Sequence, residues 1–96
     1  MEIALQDICR YAKMRVRQEK SKDMREQYGE NTIVLFTEGE WYLAFGDSAL
    51  LIESACGFNA IQYKDILMYE FPKRSDIEYF ARLVAQGYKL CVMENE

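Results

Sequence analysis

The carboxylates that could do acid–base work in this chain, Glu38, Glu40, Asp47 and Asp65, fall at turns or at the starts of elements, where acidic side chains are ordinary solvated surface. The sequence has no histidine to place beside them. That removes the commonest general base, the Ser-His-Asp and Cys-His couples, and the commonest zinc ligand. Cys9, Cys56 and Cys91 are odd in number, far apart and set among apolar neighbours. Without a paired CxxC spacing they read as buried free thiols, not as a disulfide or a metal site. Nor does a GxxxxGK phosphate loop occur for a nucleotide. The expectation is a non-enzyme with no metal and no cofactor.

The side chain with most left to offer is Trp41, the only tryptophan. It opens the second of two apolar runs in Leu35-Phe36-Thr37-Glu38-Gly39-Glu40-Trp41-Tyr42-Leu43-Ala44-Phe45. A flat aromatic beside a strand start either stacks on a nucleic-acid base or plugs a hydrophobic core. The first use makes a nucleic-acid module, the second a structural piece.

The elements that must position Trp41 are legible from periodicity. Thr32 to Phe36 is a β-branched and aromatic run, and Trp41 to Phe45 is its partner across a short turn. Trp41, Leu43 and Phe45 point to one side of the second strand and Tyr42 and Ala44 to the other. With both sides mostly apolar, it reads as a central strand covered on two faces. Residues 3–28 read as helix, either continuous or broken near Lys20-Ser21, with Gly29 as its stop. Arg10, Lys13, Arg17, Lys20 and Lys22 form a polar ridge along it, as a solvated helix face does. Asp47 caps a short helix around Ala49-Leu50-Leu51-Ile52 that ends at Gly57. Phe58 to Tyr63 and Ile66 to Phe71 are strands joined at Lys64-Asp65, and Pro72 stops the second. Ser75 and Glu78 make a capping-box pattern. The helix behind it turns Ile77, Phe80, Ala81 and Val84 inward, with Leu83 widening that face. Gly87 closes this helix and Tyr88 to Met93 forms a last strand. The fold class is α/β (α+β): one mixed sheet of about five strands flanked by helices.

Ninety-six residues, half of them apolar, make one domain with a core that needs no metal or disulfide. No apolar run is long enough for a membrane span and no secretory signal is visible, so a cytoplasmic protein with no membrane partner is expected. The net charge of −4 is uneven: residues 1–30 carry seven Lys or Arg against six acids, the rest five against ten. A duplex binder needs concentrated positive charge. The acidic body argues against strong autonomous DNA binding and leaves the N-terminal segment as the more basic surface.

From residue 21 to residue 95 the chain resembles the N-terminal mismatch-recognition domain of the MutS family of DNA mismatch-repair proteins. The resemblance runs in order through Val34-Leu35-Phe36, the turn and strand Gly39-Glu40-Trp41-Tyr42-Leu43-Ala44-Phe45, and the helix start Asp47-Ser48-Ala49. It continues through Met68-Tyr69-Glu70-Phe71-Pro72, the helix end Tyr79-Phe80-Ala81-Arg82-Leu83-Val84-Ala85-Gln86-Gly87, and the closing Lys89-Leu90-Cys91-Val92-Met93-Glu94-Asn95. It divides the chain into an N-terminal helical extension, residues 1–20, and a MutS domain I-like domain, residues 21–96.

The resemblance implies that DNA is read through a Phe-x-Glu pair, the phenylalanine wedging into the minor groove and the glutamate hydrogen-bonding the mispaired base. Trp41 falls at the wedge position, and apolar wedges generally unstack a base step. Leu43 falls at the glutamate position and has neither donor nor acceptor. Leu43→Glu is the exchange that would return the acceptor. Arg74 stands where the family often has histidine, and Glu70 replaces a glycine. The candidate nucleic-acid surface is thus Trp41, Tyr42, Leu43, Lys73 and Arg74. The family's clamp and ATPase domains have no counterpart in these residues, so ATP hydrolysis does not carry over. Two roles remain open: a module touching duplex DNA weakly through Trp41, or a protein-interaction or regulatory module that has lost recognition and serves a larger protein partner. A candidate interface stripe, Ile3, Leu5, Ile8 and Tyr11, either packs on its own domain or pairs with a second copy as a dimer.

Overall fold

One helix, α1 (Leu5–Tyr28), opens the structure, a computed structural model that describes residues 5–94, with side chains from Asp7 onward. Ile3 and the side chain of Leu5 lie outside the described residues. The helix runs through Lys20-Ser21 without a break. Among its described side chains the buried ones are Met14, Arg17 and Ser21, spaced by three and four residues. The apolar period fades after Arg15 because polar side chains take over this inward face. Arg17, only 3% exposed, reaches Glu38 (Nη1–Oε2 2.7 Å) and lies 5.7 Å from the centroid of the Phe36 ring. Ser21 meets Ser48, Oγ to Oγ 3.5 Å. The expected solvated polar ridge is therefore interrupted, with Arg17 turned into the molecule. Gly29, at φ 112°, ends the helix and donates its N–H to Arg25 O at 2.8 Å.

The hairpin strands are β1 (Thr32–Glu38) and β2 (Trp41–Phe45), paired antiparallel with Phe36 opposite Leu43 and Glu38 opposite Trp41. Gly39 supplies the positive φ (58°) of the two-residue turn. Next come α2 (Asp47–Cys56), β3 (Ile61–Tyr63), β4 (Ile66–Pro72), a 3₁₀ turn at Lys73–Ser75, α3 (Asp76–Ala85) and β5 (Lys89–Met93). The sheet order is β3-β4-β2-β1-β5, antiparallel except for the β1–β5 pair. β2 is central, as its two-sided apolar pattern requires. On one face Val34, Phe36, Leu43, Phe45, Ile66 and Met68 pack with Met14 of α1. On the other Ile33, Leu35, Ala44, Tyr69 and Phe71 pack with α2 and with Leu83 of α3.

Several local expectations shift. Gly46, not Asp47, is the N-cap of α2; Asp47 sits inside the first turn and pairs with Arg25 at 3.0 Å. β3 is three residues long rather than six. The segment before it is bent by the left-handed Gly57 C-cap and tied back by Glu53, whose Oε2 accepts the Ala60 N–H at 2.6 Å. Ser75 makes no capping hydrogen bond, because the 3₁₀ turn holds it at φ −100°, ψ 11°, outside the extended region an N-cap serine needs.

The largest correction concerns α3. Leu83 is fully buried and Tyr79 and Phe80 are half-buried, while Ile77 (81% exposed) and Val84 (58%) face solvent and Ala81 is exposed. Aromatic packing sets this rotation. Tyr79 stacks flat on Phe71 (centroids 4.1 Å, 8° between planes), its hydroxyl meets that of Tyr69 at 3.2 Å, and Phe80 closes on Tyr42 at 5.5 Å. Two rings on the sheet bury more apolar area than Ile77 and Val84 would. The thiols also differ from expectation: Cys56 is buried, Cys91 half-buried and Cys9 exposed, because Cys9 lies off the inward face that Met14 defines.

Candidate nucleic-acid interface

Trp41 is the first residue of β2, opposite Glu38 on one side and Pro72 on the other. Strand alternation puts its indole on the α1 side of the sheet with Leu43 and Phe45. Those two are sealed beneath the helix; Trp41, at the strand's end, keeps 45% of its surface exposed. The same end carries the β4–α3 connection. There the Lys73 N–H donates to Glu40 O at 2.8 Å, tying the connection to the hairpin tip. Trp41 and the Lys73–Arg74 connection therefore share one end of the sheet, with Arg74 exposed and the Lys73 ammonium directed to the other face.

The other two candidates part from this group. Tyr42 points to the opposite face, 5.4 Å from Phe71 and 5.5 Å from Phe80, with Lys73 Nζ 5.8 Å from its ring centroid. Burial, with Asp76 and Glu94 nearby, raises its hydroxyl pKa. Leu43 is 2% exposed and packs with Met14, Phe36, Phe45, Ile66 and Met68. It presents no surface at the rim.

Acidic residues occupy positions near Trp41 on the sheet. Glu38 is its cross-strand partner, Glu40 precedes it, and Glu70 is opposite Leu43 on β4 and exposed. Glu38 is bound by Arg17 at 2.7 Å and Lys13 at 3.3 Å. Burial pushes its carboxyl up, but the two cations outweigh that and hold it below its ordinary value. This Lys13–Glu38–Arg17 group was not apparent from sequence. Its one signal is Arg17, three residues after the inward-facing Met14.

The interface stripe also divides. Ile8 is half exposed on the outer side of α1, whereas Tyr11 turns onto its own domain. The Tyr11 hydroxyl donates to Asp65 Oδ1 at 2.6 Å, and Arg15 Nη1 reaches Asp65 Oδ2 at 2.9 Å. Among the described residues no helix is long and apolar enough to cross a membrane.

The chain is similar to known proteins over most of its length. A family model described as MutS domain I matches residues 17–96. The DNA mismatch repair protein MutS of Chlorobium phaeovibrioides is 34% identical over 77 residues, covering 75% of this chain and 9% of that protein. The protein of the same name from Fervidobacterium nodosum is 31% identical over 72 residues, with the same shares of 75% and 9%. The chain thus spans about a tenth of the length of these relatives. Matched over most of its own length, it belongs to the MutS domain I family.

Proposed function

We propose that this chain is a non-catalytic recognition module that engages mismatched or otherwise distorted DNA through Trp41, by stacking and with weak discrimination. The observation carrying this reading is the half-exposed indole at the sheet rim, at the end where the Lys73–Arg74 connection is tied to the hairpin. Base–aromatic stacking is worth about 1–3 kcal/mol per base and is tolerant of sequence. Leu43 acts as a packing residue, so no side chain two positions beyond the stack accepts a hydrogen bond from the base. Glu40 and Glu70 oppose phosphate approach, which makes affinity weak and strongly salt-dependent. Useful binding then needs a larger partner to hold the duplex.

Titration of labelled duplex, with and without a mismatch, at low and moderate salt tests this. As the sole tryptophan, Trp41 also reports directly: stacking on a base quenches its fluorescence. The expected result is a modest preference for the mismatched duplex, lost in Trp41→Ala. Tight binding at physiological salt, or a preference unchanged by Trp41→Ala, would refute it.

The second reading, a protein-interaction or regulatory module, is favoured by the outward flank of α3, where Ile77 and Val84 lie exposed four and three residues from Ala81. A folded chain that binds no DNA even at low salt would select that reading.

A further inference from the structure

A second cluster of cations and aromatic rings lies at the β3–β4 turn, built partly from α1 residues upstream of the family match. Tyr63, the last residue of β3, faces Tyr11 with ring centroids 6.4 Å apart. The Arg10 guanidinium is 5.6 Å from the Tyr63 centroid, and Lys64 Nζ is 5.9 Å from it and 5.8 Å from that of Tyr11. Arg15 is bound to Asp65 at 2.9 Å, and the Tyr11 hydroxyl occupies the same carboxylate. Asp65 is thus spent on its own neighbours, while Arg10 and Lys64 are held over π faces, which orient a cation without neutralising it. Within this set of contacts three cations stand against one carboxylate, with Asp7 the nearest further acid, one turn before Arg10 on α1, in a chain whose net charge is −4.

The backbone adds a second observation. Lys64 has φ 53°, the only positive value at a non-glycine residue among those described. A two-residue hairpin turn with positive φ at its first position favours glycine. A lysine there strains the backbone, and its ammonium is the group that lies over both rings.

We propose that Arg10 and Lys64, oriented by Tyr11 and Tyr63, contact the phosphate backbone of a nucleic acid, separately from the Trp41 rim. The partner class is the nucleic-acid strand itself, read through charge and not through base edges. This rests on the nucleic-acid reading above, but on different residues.

The test compares Lys64→Gly, Arg10→Gln and Trp41→Ala in binding to a labelled oligothymidylate and to a labelled duplex across a salt series. Lys64→Gly is the informative variant, because glycine suits the positive φ and removes the charge without harming the turn. Each lost phosphate contact flattens the slope of log affinity against log salt by about 0.7 on the single strand or about 0.9 on the duplex. Lys64→Gly and Arg10→Gln are each expected to lower the slope by that amount, and the pair by twice as much. Trp41→Ala is expected to weaken binding at unchanged slope. Wild-type slopes in the folded double variant would overturn this contact whatever Trp41→Ala does. Flattened slopes in the double variant, with Trp41→Ala behaving as wild type, would overturn the stacking reading and leave this one standing. A wild-type chain that binds neither probe at low salt would overturn both.

Discussion

Leu43→Glu places an acceptor at the position where the MutS resemblance implies one, and the structure predicts that it damages the fold instead of restoring a base contact. Leu43 is 2% exposed and lies in a wholly apolar set with Met14, Phe36, Phe45, Ile66 and Met68. Truncating a leucine in such a site costs about 2–5 kcal/mol. A carboxylate also loses its hydration there, and a buried ionised group without a partner escapes mainly by taking up a proton. The cation buried on this face is Arg17, over the ring of Leu43's cross-strand neighbour Phe36, and its guanidinium already binds Glu38 at 2.7 Å. A carboxylate at 43 would compete with Glu38 for it. The expected loss is about 3–5 kcal/mol, a large part of the roughly 5–15 kcal/mol that holds a domain folded.

Urea unfolding near neutral pH and at about pH 5 measures this and gives its sign. Burial raises the folded-state pKa of the new carboxyl above its unfolded value. The penalty is then complete above that raised value and shrinks as pH falls and the folded state binds the proton. Leu43→Glu should therefore be most destabilised near neutrality and partly recover at about pH 5, while Leu43→Gln shows no such recovery. A Leu43→Glu protein within about 1 kcal/mol of wild type near neutral pH would refute the argument. It would mean that α1 does not seal this position and that residue 43 is open to a ligand.

Three further outcomes follow from other parts of the molecule. In α3, Leu83→Ala should cost about 2–5 kcal/mol and Phe80→Ala, half-buried, about 2 kcal/mol, while Val84→Ala stays within about 0.5 kcal/mol by urea unfolding; a large loss at Val84 would mean the helix is rotated. The Tyr11 hydrogen bond, with Arg15 adding to it, holds the Asp65 carboxyl below the usual range, and Glu38 is held low by Arg17 and Lys13. Both contributions are therefore present above ordinary carboxylate values and lost as pH falls through the lowered ones. Amide-exchange protection in residues 8–17 should drop between about pH 5 and about pH 2, and should already be low at neutrality in Glu38→Gln/Asp65→Asn. Cys9, exposed, should react with a maleimide far faster than Cys56, whose thiol pKa is pushed up by burial; equal rates would contradict the placement of α1.

What could be read in the sequence follows how strongly local chemistry constrained each element. The hairpin was legible because two β-branched and aromatic runs flank the turn glycine Gly39, and pairing them across it buries Phe36, Leu43 and Phe45 together. The rotation of α3 was not, since Phe80 belongs to two overlapping stripes. One runs through Ile77 and Val84, the other through Tyr79 and Leu83, and only the ring of Phe71 on the facing strand decides between them. The inward face of α1 was hidden for a different reason: Arg17 and Ser21 look like surface residues until Glu38 and Ser48 are brought opposite them. At the candidate site, alternation put Trp41 and Leu43 on one side and Tyr42 on the other. It carried no information on where the covering helix stops.

That stopping point decides what each residue can do. α1 spans the α1-side cluster through Met14 and is fastened beside it by Lys13 and Arg17 to Glu38 and by Tyr11 and Arg15 to Asp65. Of these, only Arg17 falls within the residues matched by the MutS domain I model, which begins there. The upstream turns therefore supply Met14, which lies against the apolar set containing Leu43, and one side of each polar fastening. A leucine suits a position roofed in this way, where a glutamate would be buried, and an exposed aromatic suits the rim beyond the roof. The leucine at 43 and the helix lying over it are thus two parts of one physical arrangement. Shortening α1 to begin at Arg17 should expose Leu43, Phe45 and Met68 together, raise binding of a hydrophobic dye, and make Leu43→Glu far less costly than in the full chain. If the shortened chain folds and Leu43→Glu costs as much as before, the sheet and not the helix buries residue 43.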